Sequence, residues 1–287
     1  MTAENIHTAS DDLLFHYTDP AGFVGIIQSS KLWATNAAFL NDTQEMTFGA
    51  NLIAAEISLA ASRLRHPSRS LASTDAELQK TQAWTQVLSY LQASYSPSRV
   101  SYGPYVVCFS KNGNDLGQWR GYANAGYAIG FEASTVVDSS GLPPTMPSEI
   151  KPVHYGADAR AIAVNCADRI FEFLDRLPDD RELDDGELAQ ALEVADKWIP
   201  QLKHEAFTAE AERRLWVPEI RDVKFRPSPL GLIPYKEVPI NLDAIRKVVV
   251  GPGPNQKLRT NALQILLEQK FPCSEIEVET SEIPFRG

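Results

Sequence analysis

Metal-ligand spacing is missing from this sequence. The three cysteines, Cys108, Cys166 and Cys273, lie far apart and never in CxxC spacing. The five histidines (His7, His16, His66, His154, His204) neither cluster with them nor fall in an HExxH pattern. A disulfide framework and a zinc site are therefore not expected, no metal is called for, and a reducing compartment fits this cysteine usage. GxGxxG is also absent, so "VVVGPGPN" (248–255) is no dinucleotide fingerprint. No apolar run has the length of a bilayer span. The polar, acidic opening "MTAENIHTASDD" lacks the apolar stretch of a secretory leader, so a cytoplasmic protein without a membrane partner is expected. Excess positive charge is lacking too: 27 Lys and Arg face 37 Asp and Glu, a formal net charge of −10. That excludes passive, charge-driven binding to nucleic acid or anionic membrane, and leaves room only for a local basic patch.

What is present is a chain of 287 residues, long for one domain and short for two. Strand and helix signals mix without βαβ alternation or internal repeat, which predicts an α+β fold. A strand is expected at Leu13–Thr18, followed by a helix from Pro20 with Asp19 as N-cap and Phe23, Ile26 and Ile27 as its buried stripe. "KLWATNAAFLND" should run extended to a turn at Asn41-Asp42. Helical insertions are expected at about 45–96 and 157–205. In the first, Trp84, Val87, Leu88, Leu91 and Tyr95 share one helical face. "PSRSLAST" and the proline-rich "GLPPTMPS" read as loops, and "LPDDRELDDGE" as a solvated acidic loop. Further strands are expected at "PYVVCFS", "GYAIGFE", "IKPVHY", "EAERRLWVPEI", "IRKVVV" and "EIEVETSEIPFR", with a helix over "QKLRTNALQILLEQKF". The whole reads as one domain, 1–287.

Three stretches carry candidate chemistry. β-strands that only need burial favour Val or Ile, yet the first strand ends in His16, Tyr17 and Thr18, which can donate, accept and stack. A lone strand histidine more often satisfies a local partner than catalyses, so His16 matters through its company. Ser110 closes a central strand, and Trp119, Arg120 and Tyr122 sit on the Gly/Asn-rich loop that follows. Aromatics and a guanidinium on such a loop can clamp a flat ring and a phosphate; the competing role is to plug the edge of the core. Glu210, Glu212 and Arg214 alternate along a presumed strand and would share a face. A pair of carboxylates there could bind a ribose hydroxyl or stabilise positive charge, or could simply face solvent.

"FHYTDPAGFVGIIQSSKLWATNAAFLND", "VVCFSKNGNDLGQWRGYANAGYAIGFE", "FTAEAERRLW" and "SEIPFR" together resemble the bacterial family known as domain of unknown function 2971, from Phe15 to Arg286. Its opening unit is similar to the start of ADP-ribosyltransferases. The resemblance implies a split, mixed or antiparallel sheet core and NAD as a substrate. It implies that His16, with Tyr17 and Thr18, holds the ribose, that Ser110 is the central-strand serine, and that Trp119 or Tyr122 stacks on nicotinamide beside Arg120. Glu212 would be the catalytic glutamate and Glu210 would complete an ExE pair. The aromatic usual after the second glutamate is replaced by Arg213, and the His, Ser, ExE combination mixes two superfamily patterns. The implied activity is cleavage of the nicotinamide–ribose bond and transfer of ADP-ribose to a protein or nucleic-acid acceptor, in a toxin or phage-defence role. The alternatives are an NAD glycohydrolase, a silent nucleotide-binding module and a nucleic-acid-processing enzyme. The acidic balance and absent metal spacing disfavour the last.

Overall fold

The computed structural model describes residues 13–40, 45–64, 75–95, 104–137, 149–177, 183–217, 222–229 and 231–284. The polar N-terminus, the turn expected at Asn41-Asp42, "PSRSLAST", "GLPPTMPS" and most of the first half of the acidic loop lie outside these residues. The chain divides into two compact units. The first takes residues 1–35, 105–152 and 209–287, the second 36–104 and 153–208.

The first unit is built on a mixed sheet, ten-stranded among the described residues. Its strands are β1 (Leu13–Thr18), β2 (Lys31–Asn36), β3 (Tyr105–Ser110), β4 (Tyr127–Glu132), β5 (Ile150–Pro152), β8 (Glu212–Val217), β9 (Lys224–Ser228), β10 (Gly231–Pro239), β11 (Ile245–Val250) and β12 (Glu277–Thr280). The order is β12-β11-β4-β1-β3-β2-β10-β9, with β8 on β3 and β5 on β8. β11 and β12 are parallel; β1–β4, β3–β8, β5–β8 and β2–β10 are antiparallel. β1 pairs with β4 at every residue but meets β3 at one pair only, Phe15 with Ser110. The sheet is split along this seam.

Side-chain alternation gives the sheet two faces. Leu14, Tyr105, Val107, Phe109, Ile129, Phe131, Leu215, Val217, Val248 and Val250 face one core. Two helices contribute to that core, α1 (Pro20–Ser29) through Phe23, Ile26 and Ile27 and α7 (Gln256–Lys270) through Leu263 and Leu267. α1 begins as its sequence demands: the Asp19 carboxylate accepts the Gly22 N–H at 2.7 Å, and Pro20 occupies the first turn. On the opposite face Phe15, Tyr17, Trp119, Ala123, Ala128 and Val249 form a smaller cluster. The Phe15 ring there leaves no room for a Cβ at Gly113 or Gly130, which would approach it to 2.5 and 2.8 Å.

The described part of the second unit gathers the helical stretches. Its helices are α2 (Glu45–Leu64), α3 (Asp75–Ser94), α5 (Gly156–Asp175) and α6 (Asp185–Trp198), with two short strands, β6 (His154–Tyr155) and β7 (Leu202–Lys203). Ile53 and Ile57, Trp84, Val87 and Leu91, and Ile170 are buried. Leu88 and Tyr95, expected on the same face of α3, are half-buried. Alanines at 159, 163, 167, 191 and 195 are buried too, so α5 and α6 present small side chains to their neighbours. Asp184 and Glu187 form a reciprocal capping box, which turns the end of the acidic stretch into a helix start. "IKPVHY" is two short strands rather than one, β5 and β6, in different units.

Candidate functional site

Ser110 and Glu212 stand directly opposite each other on β3 and β8, and Ser110 is in turn paired with Phe15 of β1. Three candidate strands therefore meet at the seam. The side chains do not all point the same way. Ser110 and Glu212 lie on the face away from Leu14 and Phe109, whereas His16 follows Leu14 and sets its ring edge-on to Phe109 at 5.9 Å.

His16 acts where the strands part. Past the Phe15–Ser110 pair, its ring Nδ1–H donates to the Cys108 carbonyl at 3.0 Å. A carbonyl only accepts, so Nδ1 carries the proton and Nε2 is left as an acceptor. Burial pulls the His16 pKa below its ordinary value, and the hydrogen bond to Cys108 works against that shift. The ring is thus a neutral imidazole at physiological pH.

Glu212 and Arg214 form a two-pronged ion pair. Arg214 Nε donates to one carboxylate oxygen at 2.7 Å and a terminal nitrogen to the other at 2.9 Å. The side chains are only 6% and 1% exposed. The i, i+2 spacing on a strand puts both groups on one face, and burial gives each a strong reason to keep the other. Glu210 is not on that strand. It ends a 3₁₀ segment, Glu205–Glu210, and Ala211 turns through φ 43° before β8 begins. The expected alternation of Glu210 with Glu212 is therefore broken at Ala211. Ser110 is also committed, donating to the Glu210 carbonyl at 2.6 Å and accepting the Asn112 N–H at 3.0 Å.

The loop after Ser110 is more ordered than its glycines and asparagines suggest. Asp115 caps a short helix, α4 (Leu116–Gln118), which runs into a π-turn, Trp119–Ala123. Trp119 is 2% exposed, packs edge-on against Tyr17 at 4.7 Å, and donates its indole N–H to Asn114 at 2.9 Å. It closes the smaller core; Tyr122 is the loop's exposed aromatic, and Arg120 is exposed as well. The Tyr17 hydroxyl donates to the Asn112 carbonyl at 2.7 Å and accepts the Asp115 N–H at 3.0 Å, and burial raises its pKa well above the ordinary phenol range. Thr18 is half-buried and crowds Gly22, where a Cβ would stand 2.2 Å from its hydroxyl.

The sequence gives little sign of two further anchors. The Asn114 side-chain oxygen also accepts from Ser281 at 2.6 Å, and Ile283 packs on the Trp119 cluster. The segments "KNGNDLGQW" and "SEIP" thus hold each other. Arg259 of α7 clamps the neighbouring turn, donating to the carbonyls of Ala125, Gly251 and Pro254.

Among the described residues no group of three or more His, Cys, Asp or Glu could hold a metal ion, and no helix is long and apolar enough to cross a membrane. The fold and the seam define an α+β protein with a mixed sheet and a histidine, a serine and a glutamate on three successive strands. No family model, curated protein or solved structure matches the chain.

Proposed function

We propose that this chain is an ADP-ribosyltransferase-like protein that takes NAD as substrate, cleaves its nicotinamide–ribose bond and passes ADP-ribose to a macromolecular acceptor in the cytoplasm. The observation that carries the proposal is the seam: Ser110 and Glu212, two residues a family resemblance singles out, are register partners, and Ser110 also pairs with Phe15, the residue before His16, whose side chain lies on the other face of the sheet. The chemistry suits the residue types. Loss of nicotinamide passes through an oxocarbenium-like state, and a carboxylate at the ribose 2′-hydroxyl stabilises the charge as it develops. His16 faces away from Glu212, so on this reading it would hold a part of NAD other than the 2′-hydroxyl that Glu212 meets, accepting a hydroxyl at Nε2 since Nδ1 is committed to Cys108. Tyr122, the exposed aromatic, would stack on nicotinamide in preference to the buried Trp119. Ser110 would act by holding the turn at Glu210 through its hydroxyl. Glu212 reaches substrate only after releasing part of Arg214, so opening that pair belongs to the catalytic cycle.

The completeness of the Glu212–Arg214 pair also favours a second reading, a nucleotide-binding module without turnover. Nicotinamide release and transfer of adenylate-labelled ADP-ribose to macromolecules of a cell extract separate the two. The expected result is turnover that falls by on the order of 10²–10³ in Glu212→Gln, with NAD affinity little changed. Wild-type turnover in a folded Glu212→Gln protein excludes Glu212 as the catalytic residue. Saturable NAD binding without nicotinamide release establishes the silent module.

A further inference from the structure

The β9 end of the sheet, starting at β2 next to β3, carries a second collection of functional groups. On β2 the alternation puts Lys31, Trp33 and Thr35 on the face away from Leu32 and Ala34, which belong to the main core. β10 answers with Tyr235 opposite Thr35 and Glu237 opposite Trp33, and β9 adds Lys224 opposite Tyr235 and Arg226 two pairs further along, opposite Ile233. Trp33 is 46% exposed on a strand whose next residue is fully buried. Its ring leans on Tyr235 with centroids 4.5 Å apart and planes 33° from parallel. The Arg226 guanidinium lies 5.9 Å from the Trp33 ring centre and reaches the Thr35 hydroxyl at 3.4 Å. Its Nε–H is buried without a hydrogen-bond partner. Glu237 is gripped by Lys31 at 2.7 Å and Lys224 at 2.8 Å.

Packing does not ask for this arrangement. Trp33 leaves 46% of its surface in water, which stabilises nothing, and a guanidinium with an orphan N–H costs desolvation. Two lysines share the Glu237 carboxylate and Arg226 lies over Trp33, so with Asp222 acting on Lys224 three cations face two carboxylates and the patch keeps a small positive excess on a chain whose net charge is −10. A flat, half-exposed ring supported by a second ring, with a guanidinium against it and two lysines on the neighbouring Glu237, matches the chemistry of a stacked base with nearby phosphates.

We infer that the β2–β10–β9 face binds single-stranded nucleic acid, with a base stacked on Trp33 and the backbone phosphates met by Lys31, Lys224 and Arg226. The occupant follows from charge and shape together. A membrane surface favours Trp and Tyr too, but through rings that project into the headgroups, whereas the Trp33 ring leans on Tyr235 with its planes 33° from parallel. An acidic peptide would use the cations and gain little from a ring with π-stacking geometry. Nothing in this inference depends on NAD turnover.

The test is fluorescence anisotropy of a labelled twelve-residue oligothymidylate titrated with the full chain. Saturable binding is expected, with log K falling against log salt at a slope of about −2, three phosphate contacts at about 0.7 each. Trp33→Ala should weaken binding about tenfold or more, the range seen when one stacked base is lost. Arg226→Gln should weaken binding and flatten the salt slope. Glu237→Gln should tighten it, because the carboxylate competes with phosphate for both lysines. Each variant is checked by thermal melting. Polyglutamate and polyphosphate of equal charge serve as competitors. Displacement by either as effective as by unlabelled oligothymidylate shows a surface that reads charge alone and overturns the inference. So does the absence of an anisotropy change at low salt, or undiminished binding by a folded Trp33→Ala protein.

Discussion

Glu212 and Glu237 are two strand carboxylates of one sheet, each held by cations, and they sit in different media. The Glu212–Arg214 pair is 6% and 1% exposed; Glu237 is 22% exposed and its lysines 40% and 52%. In the first, both oxygens are satisfied by one planar fork, and water cannot replace either partner. In the second, two flexible ammonium groups share one carboxylate at the surface, and water or a ligand anion can take their place. The same attraction therefore does two jobs. Buried, it fixes a conformation whose loss is costly; exposed, it tunes a local field and leaves the fold almost indifferent.

The sharpest way to break that contrast is to remove one buried partner. Arg214→Met should destabilise the protein by about 3–5 kcal/mol, because it takes from a buried carboxylate the guanidinium that meets both its oxygens. Urea unfolding measures the loss. The double variant Glu212→Gln, Arg214→Met should recover part of it, so the effects are non-additive. Additive losses would mean that the two side chains are not coupled.

A smaller effect is expected at His16, half-buried without an ionic partner among the contacts described for it. Its folded pKa lies below the ordinary 6.5, so the unfolded chain binds a proton that the folded one refuses. Stability should be full above pH 6.5 and fall as pH drops from there towards the folded pKa. Asn keeps a donor near the Nδ1 position and cannot titrate. His16→Asn should therefore flatten the change in urea midpoint between pH 7.5 and 5.5. Equal slopes in the two proteins would show that His16 does not set this window.

The smallest effect belongs to Glu237. Hydrogen bonds from Lys224 and then Lys31 hold its carboxyl below the usual 4.5. A depressed carboxyl pKa gives a contribution present above the unfolded value and lost as pH falls through the folded one. Glu237→Gln should leave the melting temperature at pH 7 within about 2 °C of the parent. Its difference from the parent should shrink further in acid. A large loss at neutral pH would show that the exposed cluster is structural after all.

β1, α1, β3, β4 and α7 are legible in the sequence because local signals agree there: alternation or helical period, a cap, and a turn at each end. The serine and glutamate strands are legible too, and their opposition in register is not, since β3 and β8 are a hundred residues apart. Burial of Trp119 was one of two roles open to it, and the decision rests on Tyr17, Asn114 and Ser281, none adjacent to it in the chain. The displacement of Glu210 from the strand hangs on the backbone of Ala211, a residue whose side chain announces no left-handed turn. The Trp33 face leaves no local motif at all. It is assembled from single residues on three strands, and only the pairing of β2, β10 and β9 brings them together.

The π-turn at Trp119–Ala123 makes the loop behave like a vernier. A π-turn holds one residue more than an α-helical turn of the same closure. Gly121 lies inside it, and a Cβ there would meet nothing within 4 Å, so steric crowding does not fix the residue at that position. Losing one residue at that point would restore ordinary helical spacing and swing whatever follows by about 100° around the axis. Trp119, before the step, would stay in its socket, while Tyr122, after it, would face another direction. The anchor and the exposed ring of this loop can thus be adjusted separately, by the length of the chain between them rather than by its chemistry.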